Sequence, residues 1–285
     1  MKPDNSFHPE LLSELKALDE DEQKMLAGLL SRAKRDRSSN GSLDELGLII
    51  NCLKASPYSD NWISILRAKE KIGPRLQKDF GYAKKFPLVT DMSLEKISLS
   101  DTIHERASFR DYANSTLSFE KICSILNQSC GTRGNILAYN RRDVPIRHFP
   151  SAGGLQCAEI YVTVNDVENL PQGLYHFNAV ENCFVQIELG NFRWRVTECC
   201  PQHDWLSGAA AVIFIAPSID RLSWKYNYES YRLAHIDSGI VAENIHLVAT
   251  SIGVGSCMLF AFIDDSVNEL LGLDGRQDFV TLLIS

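Results

Sequence analysis

Ala209-Ala-Ala-Val-Ile-Phe-Ile-Ala216 carries no polar side chain. A membrane helix needs roughly 18 consecutive apolar residues, so this shorter run reads as a strand buried on both faces. Downstream, Leu233 to Ile252 keeps a helical spacing of apolar residues until Gly253. Upstream, Ile160-Tyr-Val-Thr-Val164, Gly173 to Phe177 and Phe184 to Leu189 are rich in β-branched and aromatic residues, the last two separated by turn-like Asn178-Ala-Val-Glu-Asn182. Ser118 can cap a helix with apolar positions Phe119, Ile122, Ile125 and Leu126, stopped near Gly131. Toward the end, Cys257 to Ile263 and Phe279 to Ile284 read as strands around a short helix, Ser266 to Leu271. Strands mixed with helices in this order predict an α+β fold with one central sheet.

Before about residue 95 the character differs. Leu11, Leu12, Leu15, Leu18, Met25, Leu26, Leu29 and Leu30 recur at helical spacing, and a polar break follows at Arg35 to Ser42. Two more amphipathic stretches cover Leu43 to about Ala55 and Trp62 to Leu76, the latter interrupted at Gly73-Pro74. Residues 1–95 are therefore expected to be a helical extension and residues 96–285 the chemical domain. Composition bounds the rest. A chain of 285 residues, 45% apolar and 23% charged, buries a core without disulfide staples. A net charge of −7 argues against nucleic acid as the main partner. No signal-peptide pattern opens the chain, so a cytoplasmic protein is expected. The eight cysteines form no C-x-x-C pair and read as free thiols, and the seven histidines show no metal-ligand spacing.

Four segments carry chemistry. Arg106, Ser108 and Arg110 stand two apart, so on an extended segment two guanidinium groups and a hydroxyl share a face and suit a phosphate. Arg147-His-Phe-Pro-Ser-Ala-Gly-Gly154 lets the backbone approach a flat ligand before the strand at Glu159. Gly253-Val-Gly-Ser-Cys257 follows a helix where the dinucleotide fingerprint follows a strand, so a nicotinamide-binding Rossmann domain is not expected. Trp224-Lys-Tyr-Asn-Tyr-Glu-Ser-Tyr-Arg232 sets a lysine beside a tyrosine, an arrangement that can serve as an acid/base pair. Each segment alone is also compatible with a solvated loop or turn.

Taken in order, these segments resemble the FMN-dependent nitroreductase superfamily over about Leu94 to Ser285. R-x-S-x-R marks the superfamily. Pro150-Ser-Ala-Gly153, Pro171-Gln-Gly-Leu-Tyr-His176 and Trp224-Lys-Tyr226 are similar to its SagB/McbC-type azoline dehydrogenases. The resemblance implies a nitroreductase-like α+β fold, with a mainly antiparallel central sheet flanked by helices, as a homodimer with FMN at the subunit interface. It implies that Arg106, Ser108 and Arg110 bind the FMN phosphate and ribityl chain. Pro150, Ser151, Ala152 and Gly153 would line the isoalloxazine, and Gly255 and Ser256 would contact the ring edge. Lys225 and Tyr226 would be the catalytic pair that oxidises a thiazoline or oxazoline to the azole in a cyclised precursor peptide, with cyclodehydratase subunits as partners. Gln156-Cys157 stand where that branch has an aromatic-proline pair, and Glu229 where it has arginine. The alternatives are an NAD(P)H-dependent nitro or quinone reductase and a non-catalytic flavin-fold subunit of a biosynthetic complex.

Overall fold

A computed structural model describes residues 72–89, 97–113, 115–226 and 229–285. The amphipathic stretches up to residue 71 lie outside these. From residue 72 to 89 no helix forms, although this stretch was expected to belong to the helical extension. Pro74 lacks a backbone donor, and Phe86 instead packs edge-on against Tyr175 (5.8 Å) on an edge strand, β1 (Lys85–Pro87).

The expected central sheet is present, with every pairing antiparallel. Its strands are β1, β4 (Ala158–Val164), β5 (Gly173–Asn178), β6 (Cys183–Leu189), β7 (Ala211–Pro217), β8 (Met258–Leu259) and β9 (Leu282–Ile284). They run in the order β1-β6-β5-β4-β7-β9-β8. All seven residues of β7 are buried, as its unbroken apolar run requires, and so are all of β4. A separate hairpin, β2 (Thr132–Ala138) and β3 (Arg141–Arg147), stands off the sheet.

Helices cover both faces. Ser118 Oγ caps α2 (Phe119–Cys130) by accepting from Lys121 N–H, preceded by the short α1 (Leu99–Glu105). Ile122, Ile125 and Leu126 of α2 meet Val241, Ala242 and Ile245 of α5 (Ser230–Ser251) over Ile160 and Val162. The opposite face packs α3 (Arg193–Glu198) and α6 (Asp264–Leu271) against Phe214 and Leu283. A third cluster joins Leu76, Val144 of the hairpin, Leu155 and Leu222 of α4 (Ile219–Tyr226), and it underlies the candidate site.

Two strands are shorter than expected. Cys257 to Ile263 contracts to two residues because Phe260 turns outward to 68% exposure and Ile263 becomes the cap of α6. Phe279 to Ile284 contracts to three because Val280 N–H donates to the Asn268 side chain (2.9 Å) and not to a strand. The helix expected from Leu233 begins earlier, at Ser230. Seven cysteines are free and buried, and Cys52 lies outside the described residues. No described helix is long and apolar enough to cross a membrane.

Candidate functional site

The candidate residues gather in two clusters, both tied to α5. In the first, α1 ends at Arg106, where the backbone turns extended (φ −54°, ψ 120°). Ser108 then forms a parallel bridge with Ser256, and Phe109 N–H donates to Ser256 O (3.0 Å). Buried His246 of α5 donates from Nε2 to Ala107 O (3.0 Å), so the strip is fastened at two points. Gly255 packs closely here, since a Cβ would come within 3.1 Å of the Phe109 side chain. Arg106 and Arg110 make no ion pair among the described residues, and Arg110 lies 5.8 Å from the Trp205 ring centre. The Ser256 hydroxyl is buried without a hydrogen-bond partner. Two available guanidinium groups, an exposed Ser108 and an orphaned hydroxyl form a donor set that fits a phosphate-bearing group such as FMN. A cavity of about 600 Å³ is lined by Glu105, Phe109, Asp111, Gly255 and Ser256, and not by Arg106, Ser108 or Arg110.

The second cluster is built around the Pro150–Gly153 turn. Buried Asp237 of α5 accepts from Ser151 Oγ–H (2.6 Å) and from Ala152 N–H (3.0 Å). Ser151 Oγ in turn accepts from Gln156 N–H (2.9 Å), and Cys157 Sγ–H points at Asp237 (3.4 Å). The departure at Gln156-Cys157 thus has a structural use: both residues are buried and help hold the turn. Three side-chain tips converge on Gly153. A Cβ there would lie 2.6 Å from Tyr226 Oη, 3.1 Å from Lys225 Nζ and 3.1 Å from Tyr139 Oη. Gly153 also has φ +60°, which disfavours any side chain. Gly153→Ala should therefore cost about 1–3 kcal/mol and push Tyr226 aside; a thermal melt that matches wild type would contradict this geometry.

Lys225 Nζ donates to Tyr139 Oη (3.0 Å) and sits 5.2 Å from the Tyr226 ring centre. Burial pulls the Lys225 ammonium down, but the hydrogen bond and charge of Tyr139, and those of Tyr226, outweigh it and raise it above the ordinary lysine value. α4, which carries Lys225 and Tyr226, is held from below. Arg221, one turn before Lys225, donates from Nη1 to Gln156 O (2.7 Å) and pairs through Nη2 with Glu159 of β4. Glu159 also accepts from His176 Nε2–H of β5 (2.5 Å). All three are buried, which gives the histidine of Pro171-Gln-Gly-Leu-Tyr-His176 a supporting place beneath the site.

The structure thus brings Ser108 and Phe109 to Gly255 and Ser256, with Arg106 and Arg110 two residues from Ser108 on either side, and the Pro150–Gly153 turn to Lys225 and Tyr226. Among the described residues no hydrogen bond or ion pair joins the two clusters. Asp237 and His246 mark them on α5, nine residues apart, which is about 14 Å along a helix. A second cavity, of about 470 Å³, lies at the second cluster and shares no lining residue with the first. Sequence reasoning missed Tyr139, Asp237 and His246. Tyr139 lies at the tip of a hairpin whose strands carry no clear strand pattern; the two others are polar residues on the inward face of an apolar helix.

Comparisons with known proteins agree with this architecture. A protein of Methanocaldococcus jannaschii that bears a nitroreductase name is 29% identical over 178 residues, covering 62% of this chain and 86% of its own. A solved Anabaena variabilis structure, also named as a nitroreductase, superposes with a TM-score of 0.60 at 25% identity, over 73% of this chain. This chain spans only 42% of that one. A chain of the Escherichia coli microcin synthetase McbBCD complex with truncated pro-MccB17 bound superposes over 96% of this chain and 95% of its own, with a TM-score of 0.52 at 18% identity, a likeness of fold. The nitroreductase family model matches residues 103–285, from the last turn of α1 to the end of β9, and with it both clusters: the chain belongs to the nitroreductase family, a family of flavin oxidoreductases.

Proposed function

We propose that the protein is an FMN-dependent azoline dehydrogenase, converting thiazoline or oxazoline rings of a cyclised precursor peptide to thiazole or oxazole. The observation that carries this reading is the convergence of Lys225 and Tyr226 on Gly153 of the Pro150–Gly153 turn. A reductase fed by a nicotinamide needs no such pair at the substrate face. An azoline does, because aromatising the ring removes a carbon-bound proton together with a hydride. Tyr226 takes that proton, with the Lys225 ammonium beside it to balance the charge that forms. Bound FMN supplies the two-electron acceptor. Arg106, Ser108 and Arg110 bind the phosphate and ribityl chain, and Ser256 gains a partner for its hydroxyl. Pro150 to Gly153 line the ring.

The nine-residue spacing of Asp237 and His246 on α5, and the exposed apolar side chains Leu99, Ile103, Phe109 and Ile236 on α1, its following strip and α5, support a homodimer in which one copy's clamp serves the other copy's turn. The likeness to the microcin synthetase chain supports a peptide substrate and synthetase-type partner subunits, with residues 1–95 as the docking or wrapping extension.

The protein should purify yellow. Released cofactor identified as FAD by chromatography, or no uptake of FMN on reconstitution, would count against the site. Arg106→Ala should weaken FMN binding about ten- to a hundred-fold, the loss of one charge-assisted phosphate contact. Incubation with a cyclised, leader-bearing peptide should remove two hydrogens per ring, read by mass spectrometry. The family match favours one second reading, a nitro or quinone reductase. Rapid bleaching of the flavin by NADPH with no action on the azoline would establish it.

A further inference from the structure

Tyr139 sits where a side chain of its size is uncommon. It and Asn140 form the two-residue tip of hairpin β2–β3, both with positive φ (52° and 56°), a turn that favours Asn-Gly or Gly-Gly. Its bonds run toward the second cluster and to Gly73, in the segment before β1. The hydroxyl donates to Gly153 O and accepts from Lys225 Nζ (3.0 Å). Its ring takes Trp224 edge-on at 5.2 Å and the Lys225 ammonium at 5.1 Å. Its carbonyl accepts from Gly73 N–H (2.8 Å), and a Cβ on Gly73 would come within 2.7 Å of the Tyr139 Cβ.

We propose that Tyr139 is a positioning residue for Lys225, holding the lysine ammonium against the Gly153 edge of the turn from the hairpin side. The proposal rests on the reading of Lys225 and Tyr226 as the acid/base pair. The hydroxyl proton is committed to the Gly153 carbonyl, so an oxygen lone pair is left aimed at Lys225. An ammonium has three N–H donors. One is fixed by Tyr139, which sets the direction of the other two, toward Tyr226 and the space over Gly153. The groups that act on the Lys225 charge are Tyr139 and Tyr226, and no carboxylate accepts from it among the described residues. Without Tyr139 the lysine would have only Tyr226 to orient it. Lys225 is thereby competent only while the hairpin tip is seated.

Tyr139→Phe removes the hydroxyl and keeps the ring against Trp224. The expected result is a fall in kcat for azoline oxidation of about ten- to a hundred-fold, with KM changed less than about twofold and FMN content unchanged. In a Lys225→Ala background the same substitution should add nothing, since it acts through the lysine. A reading that needs no substrate is trace acetylation of the purified, flavin-loaded protein with acetic anhydride, followed at Lys225 by peptide mass spectrometry. Freed from Tyr139, the amine should be neutral more of the time and label at least about threefold faster. Unchanged kcat with unchanged Lys225 labelling overturns the proposal, as does an equal fall in kcat when Lys225 is already alanine. If Lys225→Ala itself oxidises azolines at the wild-type rate, the acid/base reading fails instead, and the labelling rate still decides whether Tyr139 holds the lysine.

Discussion

Tyr226→Phe should oxidise a cyclised precursor peptide about 10²–10⁴-fold more slowly than wild type, the usual contribution of a positioned proton-transfer group. Lys225→Ala should lose about as much, and the double variant little more, because the phenol and the ammonium act as one unit. The physical reason is that both side-chain tips meet at Gly153, so the proton acceptor and a cation are placed together. Lys225 is that cation: its own value is pushed up by the two tyrosines, so it stays charged across the neutral range. All three variants should keep FMN, because neither residue touches the Arg106–Arg110 strip. Near wild-type turnover by Tyr226→Phe would remove the tyrosine from the chemistry. Loss of flavin from these variants would make the segment structural.

Glu159→Ala should be strongly destabilising. The carboxylate lies on β4, 3% exposed, between the Arg221 guanidinium and the His176 ring. Deleting it leaves a buried arginine unpaired and a buried imidazole without its acceptor, which typically costs about 3–5 kcal/mol. For a domain of this size that lowers the melting temperature by on the order of 10 °C. Burial pushes the Glu159 carboxyl up, but the Arg221 charge and the His176 hydrogen bond outweigh it and hold it far below the usual carboxylate range. The folded value is therefore depressed, so its stabilisation is fully present above the unfolded value of about 4.3 and is lost as pH falls toward the folded one. Urea midpoints should fall more steeply from about pH 6 to about pH 3 in wild type than in Glu159→Gln. Parallel slopes would mean that Glu159 is not the group that titrates.

The sheet was legible because its central strands are buried on both faces. Ala211 to Ala216 and Ile160 to Val164 have no solvent side, so burial shows as apolar runs broken only by Thr163. α2 was legible for the complementary reason: Ser118 and four apolar positions mark both its start and its inward stripe. Hairpin β2–β3 left no such trace. Arg133, Arg141, Arg142 and Asp143 interrupt it, Pro145 sits inside β3, and much of it faces solvent, so neither alternation nor an apolar run survives. Tyr139 went unseen with it. α4 is eight residues long, too short for its period to separate the motif Trp224-Lys-Tyr226 from a loop. The site residues were visible as motifs. What the motifs could not convey was their division between two places on α5, which depends on how far apart two buried polar residues of one helix fall.

The seven buried thiols also make the folded protein its own stopwatch. Desolvation drives Cys123 and Cys130 up to about 11 and Cys200 to about 12, so almost no thiolate exists at neutral pH while the core is closed. Cys130 ends α2 above the hairpin, Cys157 sits beside Asp237, and Cys200 follows α3 on the far face. A thiol reagent added in excess would mark each only when its own layer opens. The order in which the masses appear would trace which side of the sheet lets go first, with no cysteine introduced by mutation.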